Sequence, residues 1–349
     1  MVVFLFFSPI SWDENLTLLN IKRATFADLL NYRVFNLANN HLYISLWARL
    51  LYSADILSLP LFRLPSLLSF LVYLVYLYRL LRLYSPKTVH HLYSIVLLLL
   101  PFIFYFSLAR GYALGMAFMT AALYYYKLCV AEHPSSKTRP LILFTLTGIA
   151  GSLSVFSFFY AFIAMGVLLF LKRVIITRSK LPAPEKIMML LSTVVVAVSS
   201  AYIYKCGKII SASDPDIIGT HTLLKGGALS SILTYLSLEH NVFSGTYLQA
   251  VKLIIALTFA MAVINMMLKS AITDEIWIAL TIIGLLIISH YATGSMYPIT
   301  RALMFLIFLL YLNMVYAVSR YNSIFLKAHL IVMALMGVIF LGFTVKGMF

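Results

Sequence analysis

Apolar stretches of bilayer-crossing length recur from one end of the 349-residue chain to the other, and they restrict what it can fold into. A backbone in hydrocarbon must satisfy its own hydrogen bonds, so only helices and closed β-barrels span a membrane. Barrels show short alternating segments, whereas the runs here are continuous. The expected fold class is therefore an all-α integral membrane protein. About eleven spans are expected. The first is a stub over 2–10, followed by 61–83, 88–108, 111–130, 141–156, 157–171, 187–204, 247–268, 276–291, 301–318 and 327–345. The 141–171 stretch also reads as one broken unit, because Gly148, Gly151 and three serines interrupt it. No internal repeat is visible, which weakens a transporter built from inverted halves. At about 1.5 Å per residue the stub crosses roughly half the hydrocarbon core, so an upstream extension of about ten apolar residues is expected.

Charge sorts with this pattern. Only 11% of residues are charged and 62% are hydrophobic, with a mean hydropathy of +0.98. A soluble globule carries about 25% charged residues, so this chain cannot cover itself with water-compatible surface. The net charge of +15 invites a nucleic-acid reading. The cations, however, fall mostly in short loops between spans, as membrane topology requires, and no nucleic-acid partner is expected. Cys129 and Cys206 are too few and too far apart for a disulfide framework or a metal cluster.

Arg79, Arg82 and Lys87, then Lys137 and Arg139, then Lys172, Arg173, Arg178, Lys180 and Lys186, then Arg320 and Lys327 fall on one side when the spans are counted as above. That side is cytoplasmic by the positive-inside rule. Two long loops, 11–60 and 205–246, then face outward. In the first, Leu16, Leu19, Phe26 and Leu30 recur at helical spacing and predict an amphipathic helix lying on the bilayer. The segment from His41 to Leu59 carries Arg49 and Asp55 and is too polar for an ordinary span, so an interfacial or re-entrant segment is expected there. The second loop contains Gly207, Gly219, Gly226, Gly227 and Gly245 and is expected to act as a lid that excludes water.

Chemistry-bearing residues gather at the outward side. Asp13-Glu14 is the acidic pair on that face, since Asp274-Glu275 is cytoplasmic. A carboxylate directly after the first span reaches the headgroup level, where it can act as a general base. The same residues fit a capping box, with Ser11 as N-cap and Glu14 reaching back. Arg63, Arg110 and Arg301 lie at outer ends of different helices. Guanidinium groups suit phosphate through paired charge-assisted hydrogen bonds, and they also snorkel to bilayer phosphates. His41 follows Asn39-Asn40, and alone it reads as an ordinary interfacial histidine. His221, Glu239, His240 and His290 lack metal-site spacing, so no metal is expected, although a divalent cation at a phosphate remains compatible.

Four motifs occur in order: Asp13-Glu14, Asn40-His41-Leu42-Tyr43, Arg63-Leu64-Pro65-Ser66 and Ala109-Arg110-Gly111-Tyr112-Ala113-Leu114. A weaker fifth is Pro298-Ile299-Thr300-Arg301. Together they resemble the GT-C glycosyltransferases, in the style of protein O-mannosyltransferases and aminoarabinose transferases. That family pattern has an Asp-Glu pair, an Asn-His-Pro-Pro-Leu-Tyr-like segment, an Arg-Leu-Pro-Ser helix start and an Ala-Arg-Pro-Tyr-Ala-Leu-like element. The prolines of the second motif are absent here, and no soluble C-terminal domain is expected, so acceptor recognition is expected to fall to the membrane part.

The resemblance implies one GT-C-like domain over 1–349 that transfers a sugar from a polyprenyl-phosphate donor to a lipid, glycan or protein acceptor on the extracytoplasmic face. Asp13 would be the catalytic base and Glu14 its neighbour. His41, Arg63, Arg110, Tyr112 and Arg301 would face the donor phosphate or sugar. No resident cofactor is implied. The rival expectations are a non-enzymatic lipid flippase or transporter and a surface-polysaccharide polymerase or ligase. Ion coupling tends to need mid-membrane carboxylates, and the acidic residues lie in loops or at span ends.

Overall fold

The structure is a computed structural model that describes residues 10–34, 40–84, 103–131, 138–176, 183–213, 219–220, 264, 273–293, 297–298, 303–321 and 331. Apart from one two-residue strand pairing, the elements described are helical. They are α1 (Trp12–Arg23), α2 (Phe26–Leu30), α3 (Leu42–Ser53), α4 (Leu59–Tyr84), a 3-10 turn (Ile103–Ser107) and α5 (Gly111–Val130). There follow α6 (Thr138–Ser154), α7 (Phe158–Phe170) with a π-turn (Leu171–Ile176), α8 (Ala183–Ser213), α9 (Asp274–Thr293) and α10 (Met304–Tyr321). Among the described residues, four segments are long and apolar enough to cross a membrane: Leu59–Tyr84, Gly111–Val130, Met189–Ile209 and Asp274–Thr293. The stub and the spans expected at 247–268 and 327–345 fall outside the described residues, save isolated positions, as does most of 88–108.

The chain divides into two compact units, residues 1–77 with 105–218 and residues 78–104 with 219–349. In the first, α5 packs most closely on α6, and its sequence explains why. Gly111 and Gly115 are spaced four apart on one helix face, and such a pair lets backbones approach. A Cβ at Gly151 of α6 would lie 3.4 Å from the Gly115 carbonyl oxygen, and one at Gly115 would come within 2.9 Å of the Phe158 ring of α7, so the missing side chains let both helices approach α5. The break expected inside 141–171 is a short turn at Val155, Phe156 and Ser157, which makes two helices of the stretch. In α8, Leu190, Leu191, Val194, Val195 and Val198 point outward and are exposed, an arrangement suited to lipid and costly in water.

The first segment expected to face outward departs from its expected form. The helix expected over Leu16 to Leu30 is interrupted at Ala24 and Thr25, where Thr25 and Asp28 form a capping box that starts α2. The buried face of α1 is Glu14, Thr17, Asn20 and Ile21, while Trp12 and Leu19 are exposed. Three of the four buried residues of α1 are polar, while two of its large apolar side chains are exposed. Residues 42–53 of the expected interfacial segment form α3, which ends before Asp55, in a left-handed conformation at φ 56°. Arg49 of α3 donates from Nη1 to the Ile21 carbonyl at 2.9 Å, placing a cation on the open C-terminal end of α1. Ile21, Ile44, Ala48, Phe62 and Ala109 form a small apolar cluster that joins α1, α3, α4 and the 103–110 segment.

Proline in α4 has a visible consequence. Pro65 has no N–H for the carbonyl four residues back, Leu61. The Trp47 indole Nε1–H donates to that carbonyl instead, at 2.8 Å. The turn so repaired carries Arg63, and the inward stripe of α4 runs on through Ser66, Ser69, Tyr73 and Leu77.

The outer loop expected from residue 205 begins later, because α8 continues to Ser213. Lys208 sits over the Tyr204 ring, 5.1 Å from its centroid, and this four-residue spacing supports the added turns. Most of the remaining loop is outside the described residues, as are His221, Glu239 and His240. In the second unit, Gly219–Thr220 pairs antiparallel with Tyr297–Pro298, so Pro298 lies in a strand and the following helix begins only at Met304.

Candidate functional site

Ser11 caps α1, and its hydroxyl accepts the Glu14 N–H at 3.2 Å. The Glu14 carboxylate in turn accepts the Ser11 N–H at 2.9 Å, which completes the capping box. This fixes the first helical turn and therefore the directions of Asp13 and Glu14. The two adjacent carboxylates then meet different arginines.

Glu14 is fully buried and accepts from three segments of chain. Oε1 takes the Arg63 Nε–H and the Ala109 backbone N–H, each at 2.8 Å. Oε2 takes Arg63 Nη2 at 2.8 Å and the Ser11 N–H. Both side chains of this bidentate pair have 0% exposure. Burial alone would raise the Glu14 pKa. The hydrogen bonds from Arg63, Ala109 and Ser11 and the Arg63 charge outweigh it, so the carboxyl is held below its ordinary range. The capping reading of Ser11 and Glu14 and a salt-bridge role for Glu14 thus describe the same group.

Asp13 pairs with Arg110 Nη1. Unlike Glu14, it reaches solvent, with 23% of its side chain exposed against 4% for Arg110. Arg110 is the N-cap residue of α5, in extended conformation, and its guanidinium lies 5.4 Å from the Tyr112 ring centroid. Tyr112 is flanked by two further rings. His41 meets it edge-on at 5.1 Å, and Tyr105 meets it edge-on at 5.4 Å. His41 is the N-cap residue of α3 and is buried. Gly111 is the pivot of the group. A Cβ there would lie 2.2 Å from the Ser154 carbonyl oxygen and 2.8 Å from His41 Nδ1.

Of the residues singled out from sequence, Asp13, Glu14, His41, Arg63, Arg110 and Tyr112 are brought together within the first unit. Arg301 lies outside the described residues. Two nitrogens of Arg63 are directed at Glu14, which leaves Arg110 as the arginine beside the accessible carboxylate. Two cations balance two anions, and the accessible pair sits beside aromatic rings. Tyr105, the Ala109 N–H and Trp47 were not foreseen. Only Trp47 had a sequence signal behind it, in the carbonyl that Pro65 orphans. Among the described residues no three His, Cys, Asp or Glu side chains gather as a metal site. Comparison of the chain with protein-family models, with curated proteins and with solved structures gives no match.

Proposed function

We propose that the chain is a GT-C-type glycosyltransferase of about eleven spans. It takes a sugar from a polyprenyl-phosphate donor and gives it, with inversion, to a lipid, glycan or protein acceptor on the extracytoplasmic face. The carrying observation is the Asp13–Arg110 pair, in which Asp13 is partly exposed, beside Tyr112 and His41 and standing on a buried Glu14–Arg63 pair. Such a transfer needs a base and a phosphate ligand, and the contacting carboxylate of Asp13 and guanidinium of Arg110 are groups of the two required kinds.

In this reading the donor phosphate competes for Arg110 and releases Asp13. Asp13 accepts the proton of the acceptor hydroxyl or amine as that atom bonds to the anomeric carbon. The bond from that carbon to the phosphate oxygen breaks with its electron pair, and polyprenyl phosphate leaves as an anion stabilised by Arg110. The test is transfer of radiolabelled sugar from a lipid-linked donor in reconstituted membranes. Asp13→Asn keeps a good residue for a helix N-terminus but cannot take a proton, so transfer falls by roughly two to four orders of magnitude while folding survives. Near-normal transfer by that variant refutes the reading.

A further inference from the structure

We infer that Glu14 and Arg63 are positioning residues: they hold the 109–110 backbone in register so that Arg110 meets Asp13. The contacts form a two-step ladder between two stretches of chain. On one step Glu14 accepts the Ala109 N–H. On the next, its neighbour Asp13 takes the guanidinium of Arg110, the neighbour of Ala109. Arg63 comes from α4 and grips Glu14 with two parallel hydrogen bonds, which leaves the carboxylate one orientation. The inner step is sealed at 0% exposure, while the outer step is accessible. A buried, geometrically exact pair suits the setting of a register, and an accessible pair suits exchange of partners with a ligand.

The assignment predicts that Arg63 acts on a phosphate only through Arg110. Its kinetic meaning rests on the proposed glycosyl transfer, so one arm of the test uses no ligand. Full-length protein is reconstituted in nanodiscs. Glu14→Leu together with Arg63→Met removes both charges at once, so neither is stranded in the interior. Hydrogen exchange is then followed at the Ala109 and Arg110 amides. Losing a charge-assisted bond at Ala109 speeds local exchange by roughly ten- to a hundred-fold, while the middle of α5 keeps its protection. Unchanged exchange at 109–110 overturns the inference.

The second arm measures binding of undecaprenyl phosphate, with undecaprenol as the tail-only control. Arg63→Lys keeps the charge but loses the fork, and it weakens phosphate binding by about tenfold in the wild-type background. In an Arg110→Ala background the same change has an effect within about twofold, because the residue it positions is gone. Additive effects mean that Arg63 touches the phosphate itself, and they overturn the inference. A wild-type protein that binds undecaprenyl phosphate no better than undecaprenol refutes the proposed function, and the exchange arm still decides the register.

Discussion

Replacing Gly111 by alanine tests the close approach on which the site is built. The added Cβ would lie 2.2 Å from the Ser154 carbonyl oxygen, about 1.2 Å short of the 3.4 Å at which ordinary contact begins. That oxygen belongs to the backbone at the end of α6 and cannot swing aside as a side chain can. The next obstacles, His41 Nδ1 at 2.8 Å and Cβ at 3.1 Å, belong to a buried residue. The helices must therefore separate, and such overpacking costs about 1–3 kcal/mol or more. Gly166 in α7 is the internal control, because a Cβ there meets nothing within 4 Å. Gly166→Ala exchanges a poor helix former for the best one and stabilises by about 0.5–1 kcal/mol. The same chemical change thus has opposite signs at the two positions, and thermal unfolding of the purified proteins reads both. Gly111→Pro adds a second comparison. Proline is favoured at the first position of a helix, yet its Cβ meets the same oxygen, so it destabilises at least as much as alanine. Equal melting of Gly111→Ala and Gly166→Ala would refute the α5–α6 approach and, with it, the placement of Arg110 beside Asp13.

Two further perturbations have definite signs. Trp47→Phe removes the donor that serves the Leu61 carbonyl and costs about 1–3 kcal/mol. In a Pro65→Ala background the helix recovers its own donor, and the cost of Trp47→Phe shrinks in the same melting assay. Glu14, with its folded pKa below the unfolded value of 4.5, contributes stability that is fully present above about pH 4.5. That stability is lost as pH falls through the lower folded value. Acid titration followed by near-ultraviolet circular dichroism checks this, and the Glu14→Leu, Arg63→Met protein loses that part of the pH dependence.

Hydropathy located the helices better than it located their faces. The expected span at 111–130 coincides with α5, whose start follows from Arg110 and Gly111 and whose end lies beside Lys127. Leu16, Leu19, Phe26 and Leu30 have helical spacing, but a stripe of leucines does not say whether it faces protein or lipid. Leu19, Phe26 and Leu30 are exposed here, while Glu14, Thr17 and Asn20 join Ile21 on the buried face of α1. The interruption at Thr25 was legible in its capping box with Asp28. The partners within the site were not. Glu14 and Arg63 are 49 residues apart, and Asp13 and Arg110 are 97 apart. Nothing local assigns one arginine to one carboxylate. That assignment comes from Ser11, which fixes the first turn of α1, and from Ala109, whose amide only the fold delivers to Glu14.

The spread of these partners along the chain sets an order of events during biosynthesis. Glu14 leaves the ribosome early, Arg63 follows, and the Ala109 amide comes last, 95 residues behind its acceptor. A nascent chain that ends within α4 holds an acidic residue whose buried ligands are incomplete. Until the 108–110 segment arrives, water must solvate that carboxylate, and α1 must stay at the aqueous boundary. Closure around the buried Glu14–Arg63 pair is therefore a late step in maturation. Truncated chains that stop short of Ala109 should be recognised by quality-control proteases, while chains extended through α5 should begin to resist them.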